Sequence, residues 1–140
     1  MNLQELTLKH LQKHPLYKSQ HTVRAREIPN GWWIGYRTTP SNLTIRTTHF
    51  DVNITQKTFF VLHIEIEGKY RGKGYGDALY KTLEHIAEEA GCEKIQMMPS
   101  GWTPSGETRE SYLLRRGYKK FGEEVVKEFV KQSIMKGELQ

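Results

Sequence analysis

Apolar positions along this chain recur with two different periods, and between Thr58 and Gly91 one period hands over to the other. TFFVLHIEIEG is a dense β-branched and aromatic run of strand length, and DALYKTLEHIAEEAG carries a helical stripe at Leu79, Leu83, Ile86, Ala87 and Ala90. A strand therefore feeds a helix through the glycine-rich KYRGKGYG between them. Upstream, Asn2 is placed to cap a helix running to about His14, with apolar Leu3, Leu6, Leu8 and Leu11, and Pro15 stands just beyond. From His21 the pattern is extended. TVRAREI, a Pro29-Asn30-Gly31 turn, WWIGYRTT, a Pro40-Ser41-Asn42 break and LTIRTTHFDVNI predict three strands of an antiparallel meander that leads into the central strand.

Downstream, Gly91 supplies a C-cap and EKIQMMP predicts a short strand, completing a β-α-β unit whose two strands run parallel. Ser100 to Gly106 reads as a loop, and Glu107 to Arg116 as a helix with Tyr112 and Leu113 inward, ended by Gly117. The tail, residues 124–135, stays open between helix and strand: Val125, Val126, Phe129, Val130 and Ile134 fit helical spacing, while VVKEFV has strand composition.

Gly72, Gly74 and Gly76 allow positive φ and close approach of a ligand to the backbone. Their amides, together with the free N–H groups and positive dipole end of the next helix, make a phosphate site, to which Arg71 and Lys73 add charge. The alternative is a tight turn with solvated basic residues. Two nucleotide motifs are excluded by spacing: G-x-G-x-x-G needs glycine at Asp77, and a P-loop begun at Gly68 needs glycine at Lys73.

The pattern R-x-x-G-x-G, Arg71 to Gly76, after a strand and opening a helix, resembles the acyl-CoA-binding motif of the GNAT N-acetyltransferase family. The approach through Ile64 and Ile66 is similar too, and the resemblance runs from about Leu43 to Phe121. It implies a single acyl-CoA N-acyltransferase domain over residues 1–140. The implied fold is α+β, a mixed and mostly antiparallel sheet with one parallel pair around the central helix and a shortened N-terminal region. It also implies an acetyl-CoA site formed by Ile64, Ile66, Arg71, Gly72, Lys73, Gly74, Tyr75 and Gly76, with the pyrophosphate on backbone amides, and a last strand in the tail. A second signature, YLLRRGYKKF, resembles the family's F-Y-x-x-x-G-F, but Leu113 stands where the family often has a tyrosine acid, and the asparagine common earlier in that helix is missing.

Composition narrows the setting. One cysteine, Cys92, excludes an internal disulfide framework and offers no metal cluster, so no metal is expected. No apolar run reaches membrane-spanning length and MNLQELTLKH lacks a signal-peptide core, which predicts a cytoplasmic protein with no membrane partner. His10 and His14 share a helix face, but with no supporting ligand they are expected to be solvent-exposed. A net charge of +5 suits coenzyme A, nucleic acid or plain solubility. Arg24, Arg26, Arg37, Arg46, Lys69, Arg71, Lys73, Arg115 and Arg116 are dispersed, which argues against specific nucleic-acid binding.

Direct transfer from acetyl-CoA to a primary amine needs orientation, an oxyanion donor and proton traffic. The family's bulge in the central strand would leave the Ile66 amide free for the thioester carbonyl or pantetheine arm. Regular alternation would place Leu62, Ile64 and Ile66 on one side and His63, Glu65 and Glu67 on the other. Glu65 is the preferred base, through a water, and His63 the second; the competing reading is a solvated strand face. Tyr112 is the candidate acid, weighed against aromatic packing. Trp102 has packing as the simpler of its two roles, the other being a cover over acceptor or cofactor. A non-catalytic acyl-CoA sensor and a basic nucleic-acid-binding module are the alternative functions; the acceptor is open, and so is monomer or homodimer.

Overall fold

The computed structural model describes residues 2–14, 22–37, 49–65, 75–103 and 105–129. Helix α1, Leu3–Leu11, opens on Asn2, whose side chain accepts the Glu5 N–H at 3.1 Å. It stops short of His14. Strands β1 (Thr22–Ile28), β2 (Gly31–Arg37), β3 (His49–Thr55) and β4 (Thr58–Glu65) form the meander. The predicted third strand begins among residues that lie outside this description.

Asn30 turns β1 into β2 with φ 68°. Gly31 is required beside it, because a Cβ there would stand 1.9 Å from the Ile54 carbonyl oxygen. The β3–β4 turn places both Gln56 and Lys57 at positive φ, 50° and 60°, the geometry whose twist matches a two-residue hairpin.

Helix α2, Tyr75–Glu89, crosses to β5, Lys94–Met97, which lies parallel to β4. The expected stripe is its buried face: Leu79, Leu83, Ile86 and Ala87 pack with Phe50, Val52, Phe59, Val61 and Ile95. Gly91, at φ 84°, ends it as predicted, with the Cys92 N–H bonded to the Ala87 carbonyl and the Gly91 N–H to that of Glu88. Helix α3, Arg109–Arg115, begins two residues later than predicted because Thr108 caps it, accepting the Ser111 N–H at 3.1 Å. Strands β6 (Lys119–Phe121) and β7 (Glu124–Glu128) follow as a hairpin around Gly122, so the described part of the tail is strand. The seven strands lie in the order β1-β2-β3-β4-β5-β7-β6, antiparallel except for β4–β5.

Two expectations fail at α1. His14 is buried, and His10 is largely covered, packed against the His85 ring and 3.4 Å from Glu89. For His10 the reason is that α1 lies on α2 with this residue turned toward it. No described helix is long and apolar enough to cross a membrane.

Candidate active site at the parting of two strands

Because α2 connects two parallel strands, its first turn, the end of β4 and the end of β5 all come to one end of the sheet, where the two strands finish. Pairing between β4 and β5 runs from Thr58↔Lys94 to Val61↔Met97, yet β4 continues to Glu65. Beyond Val61 the β5-facing edge of β4 has no strand neighbour among the described residues. At the same level β5 gives way to a turn in which the Ser100 N–H donates to the Met98 carbonyl at 3.1 Å. Parted strands present free backbone donors and acceptors, to which an extended ligand can hydrogen-bond as another strand would.

The register of β4 explains which side chains surround that gap. Val61 pairs with Val52 and His63 with Asp51, leaving Leu62 as an extra residue in a β-bulge. Phe59 and Val61 face the core before it, and Ile64 packs against the core after it. The regular alternation expected from sequence therefore fails at Leu62, which is 57% exposed instead of sharing a face with Ile64. The bulge implied by the family resemblance is present, at Leu62.

The sequence candidates are brought together only in part. His63 is exposed on β4. Glu65 is the last described residue of the strand, paired with His49, and its side chain lies outside the described residues, as do Ile66, Arg71, Gly72, Lys73 and Gly74. Tyr75 and Gly76 form the first turn of α2. Trp102 is 69% exposed, contrary to the packing role expected of it, because its loop is closed by backbone bonds such as Thr103 N–H to the Glu107 carbonyl, 2.8 Å, without needing the indole.

Tyr112 does not merely pack. Its hydroxyl donates to Asp77 Oδ1 at 3.0 Å, and Arg116, the C-cap of α3 four residues further on, pairs with the same oxygen. Lys81 Nζ is 3.3 Å from Asp77 Oδ2. The Arg116 guanidinium also reaches Glu84 Oε2 at 3.5 Å and lies 5.6 Å from the centre of the Tyr112 ring and 5.9 Å from that of Tyr80. Glu84, buried in mid-helix, further accepts the Tyr118 hydroxyl at 2.9 Å and faces Lys127 at 3.3 Å. These groups tie α2 to α3 and β7.

Electrostatics follow this geometry. Burial pushes the Asp77 carboxyl up, but the Tyr112 hydrogen bond and the charges of Arg116 and Lys81 outweigh it, so its pKa falls below the ordinary aspartate value. Burial, against the pull of Arg116 and helped by Asp77, pushes Tyr112 up to about 12. Tyr118 is raised by burial and by Glu84. Sequence reasoning missed Asp77, Glu84 and Arg116. The one available signal was the spacing of Tyr112 and Arg116 on one helix face. Leu113, between them, is fully buried and can only pack.

Residues 23–109 match the model of the acetyltransferase (GNAT) family. No curated protein matches the sequence. Solved structures with the same fold include an archaeal Elp3 from Methanocaldococcus infernus, 21% identical over 79% of this chain with a TM-score of 0.55. This chain spans 30% of that protein's length. An IAA acetyltransferase from Bacillus cereus is 14% identical, with 72% of this chain and 79% of that one covered and a TM-score of 0.53. A Bacillus subtilis acetyltransferase in complex with CoA is 11% identical, with coverages of 74% and 80% and a TM-score of 0.51.

Proposed function

We propose that this chain, which belongs to the acetyltransferase (GNAT) family, carries an acetyl group from acetyl-CoA to a primary amine by direct attack in a ternary complex. Acyl transfer from coenzyme A is the general chemistry of the family. The observation that carries the reading is the parting of β4 from β5 beyond Val61↔Met97, at the end of the sheet where α2 begins. The pantetheine arm would lie along the free edge of β4, and the pyrophosphate against Arg71, Gly72, Lys73, Gly74, Tyr75 and Gly76. Ile64 and Ile66 complete the cofactor side. Glu65 draws the amine proton through a water, with His63 as the second candidate.

Tyr112 is less suited to returning a proton to the thiolate, since its hydroxyl hydrogen is engaged by Asp77 and its pKa is pushed up to about 12. A thiolate is a good leaving group, so solvent suffices. The nucleic-acid alternative is weakened by Arg115 and Arg116, both held in ion pairs with Glu107, Asp77 or Glu84.

Calorimetry with acetyl-CoA on the parent protein and Gly74→Val tests the reading. Binding by the parent and its loss in a folded Gly74→Val variant is the expected result; undiminished binding by the variant would remove the pyrophosphate site. Binding without transfer to any amine would leave the acyl-CoA sensor as the function. Once an acceptor is known, Glu65→Gln should cost turnover mainly at pH below the amine's pKa, and an unaltered pH–rate profile would pass the role of base to His63.

A further inference from the structure

Asp77 sits in the first turn of α2, directly after Gly76. That turn is the one whose unpaired N–H groups would face the pyrophosphate, and residues along a helix are separated by only ~1.5 Å of rise. A carboxylate there has two opposite effects. It favours the helix by complementing the positive end of the dipole, and it repels a phosphate approaching the same end. An anion site carrying its own bare anion would work against itself.

The structure removes the conflict by surrounding Asp77 with positive charge and a donor. Arg116 and Tyr112 share Oδ1, and Lys81 lies at Oδ2. Arg116 is held by more than this contact, because its side chain is 12% exposed, lies beside the adjoining rings of Tyr80 and Tyr112, and pairs also with Glu84. Glu84 in turn is balanced by Lys127 and Tyr118. The cluster of Asp77, Glu84, Arg116, Lys81 and Lys127 therefore carries two carboxylates against three cations.

We propose that Arg116 and Tyr112, with Lys81, act as positioning residues that mask the charge of Asp77 and so keep the first turn of α2 attractive to the coenzyme A pyrophosphate. The inference rests on the acyl-CoA reading and deepens it. It differs from a purely mechanical clamp between α2 and α3 in the sign of one substitution. Asp77→Asn keeps an oxygen for the Tyr112 hydroxyl but leaves Arg116 and Lys81 without their counter-charge, so masking predicts tighter binding, whereas a clamp predicts weaker or unchanged binding.

Titration calorimetry with acetyl-CoA at low ionic strength decides between them. Asp77→Asn should bind roughly threefold tighter than the parent, and Arg116→Met roughly tenfold weaker. Asp77→Asn in the Arg116→Met background should recover most of that loss. All three differences should shrink at about 0.5 M salt, where charges beyond a few Å are screened. Dephospho-coenzyme A, which keeps the pyrophosphate but lacks the 3′-phosphate, should report the same gain for Asp77→Asn. Weaker or equal acetyl-CoA binding by Asp77→Asn, or a gain that vanishes with dephospho-coenzyme A, would overturn the proposal. Absence of acetyl-CoA binding by the parent would instead overturn the function on which it rests. Asp77→Asn is isosteric and on a half-exposed side chain, so the test survives even where Arg116→Met does not fold.

Discussion

The two ends of α2 are both tied by charged groups, but with different physics. At its last turn the exposed Glu89 takes the equally exposed Lys9 of α1, Nζ lying 2.8 Å from Oε2, and the covered ring of His10 at 3.4 Å. In its first turn Asp77, and in mid-helix Glu84, meet a shielded guanidinium, two tyrosine hydroxyls and two lysines. Exposed pairs lose to hydration and side-chain entropy most of what they gain, whereas a desolvated group stripped of its partner keeps the whole cost of burial. The comparison teaches that proximity of opposite charges says little, and that shielding decides which tie matters.

The largest effect should come from Arg116→Met, which leaves Glu84 buried with fewer partners. It is expected to cost roughly 3 kcal/mol in denaturant unfolding, the low side for a broken buried pair because Tyr118 and Lys127 remain. Tyr118→Phe removes one hydrogen bond to the same carboxylate and should cost roughly 1.5 kcal/mol. A loss under half of either figure would place this network among the solvated ties.

Next comes acid sensitivity. Asp77 has a folded pKa below its ordinary value, so it contributes stability that is present above that ordinary value and is lost as pH falls through the folded one. Asp77→Asn should flatten this acid limb in melts between neutral and acid pH. His10 titrates in the same sense from the other end. Burial lowers its pKa more than Glu89 raises it, so stability is full above about pH 6.5 and falls as the solution is acidified through the lowered pKa. His10→Gln should remove that step. The smallest effect belongs to Lys9→Ala, for which no resolvable shift in melting temperature is expected. A clear destabilisation by Lys9→Ala would erase the contrast between the two ends.

Much of this architecture was readable because it is local. The stripe Leu79, Leu83, Ile86, Ala87 marks the buried face of α2, Asn2 and Gly91 mark ends, and Pro29-Asn30-Gly31 marks a turn. The bulge was not readable from β4 itself, since LHIEI alternates smoothly; it arises from pairing with Asp51 and Val52 on another strand. The Arg116–Asp77 pair spans 39 residues, and nothing in either neighbourhood says which of many carboxylates an arginine will meet. His14 illustrates the same limit for burial, because whether a polar residue near a helix end is covered depends on what lies across from it.

The burial of Cys92 gives the chain a built-in clock. This only thiol sits at the joint between α2 and β5, 6% exposed, and its shielding pushes its pKa up to about 11. At neutral pH it is neither accessible nor deprotonated in the folded protein, so an alkylating reagent can reach it only when that joint opens. The rate of labelling in excess reagent would thus count openings of the β-α-β unit. If acyl-CoA holds the start of α2, adding it should slow the clock, giving a readout of occupancy that requires no acceptor amine and no turnover.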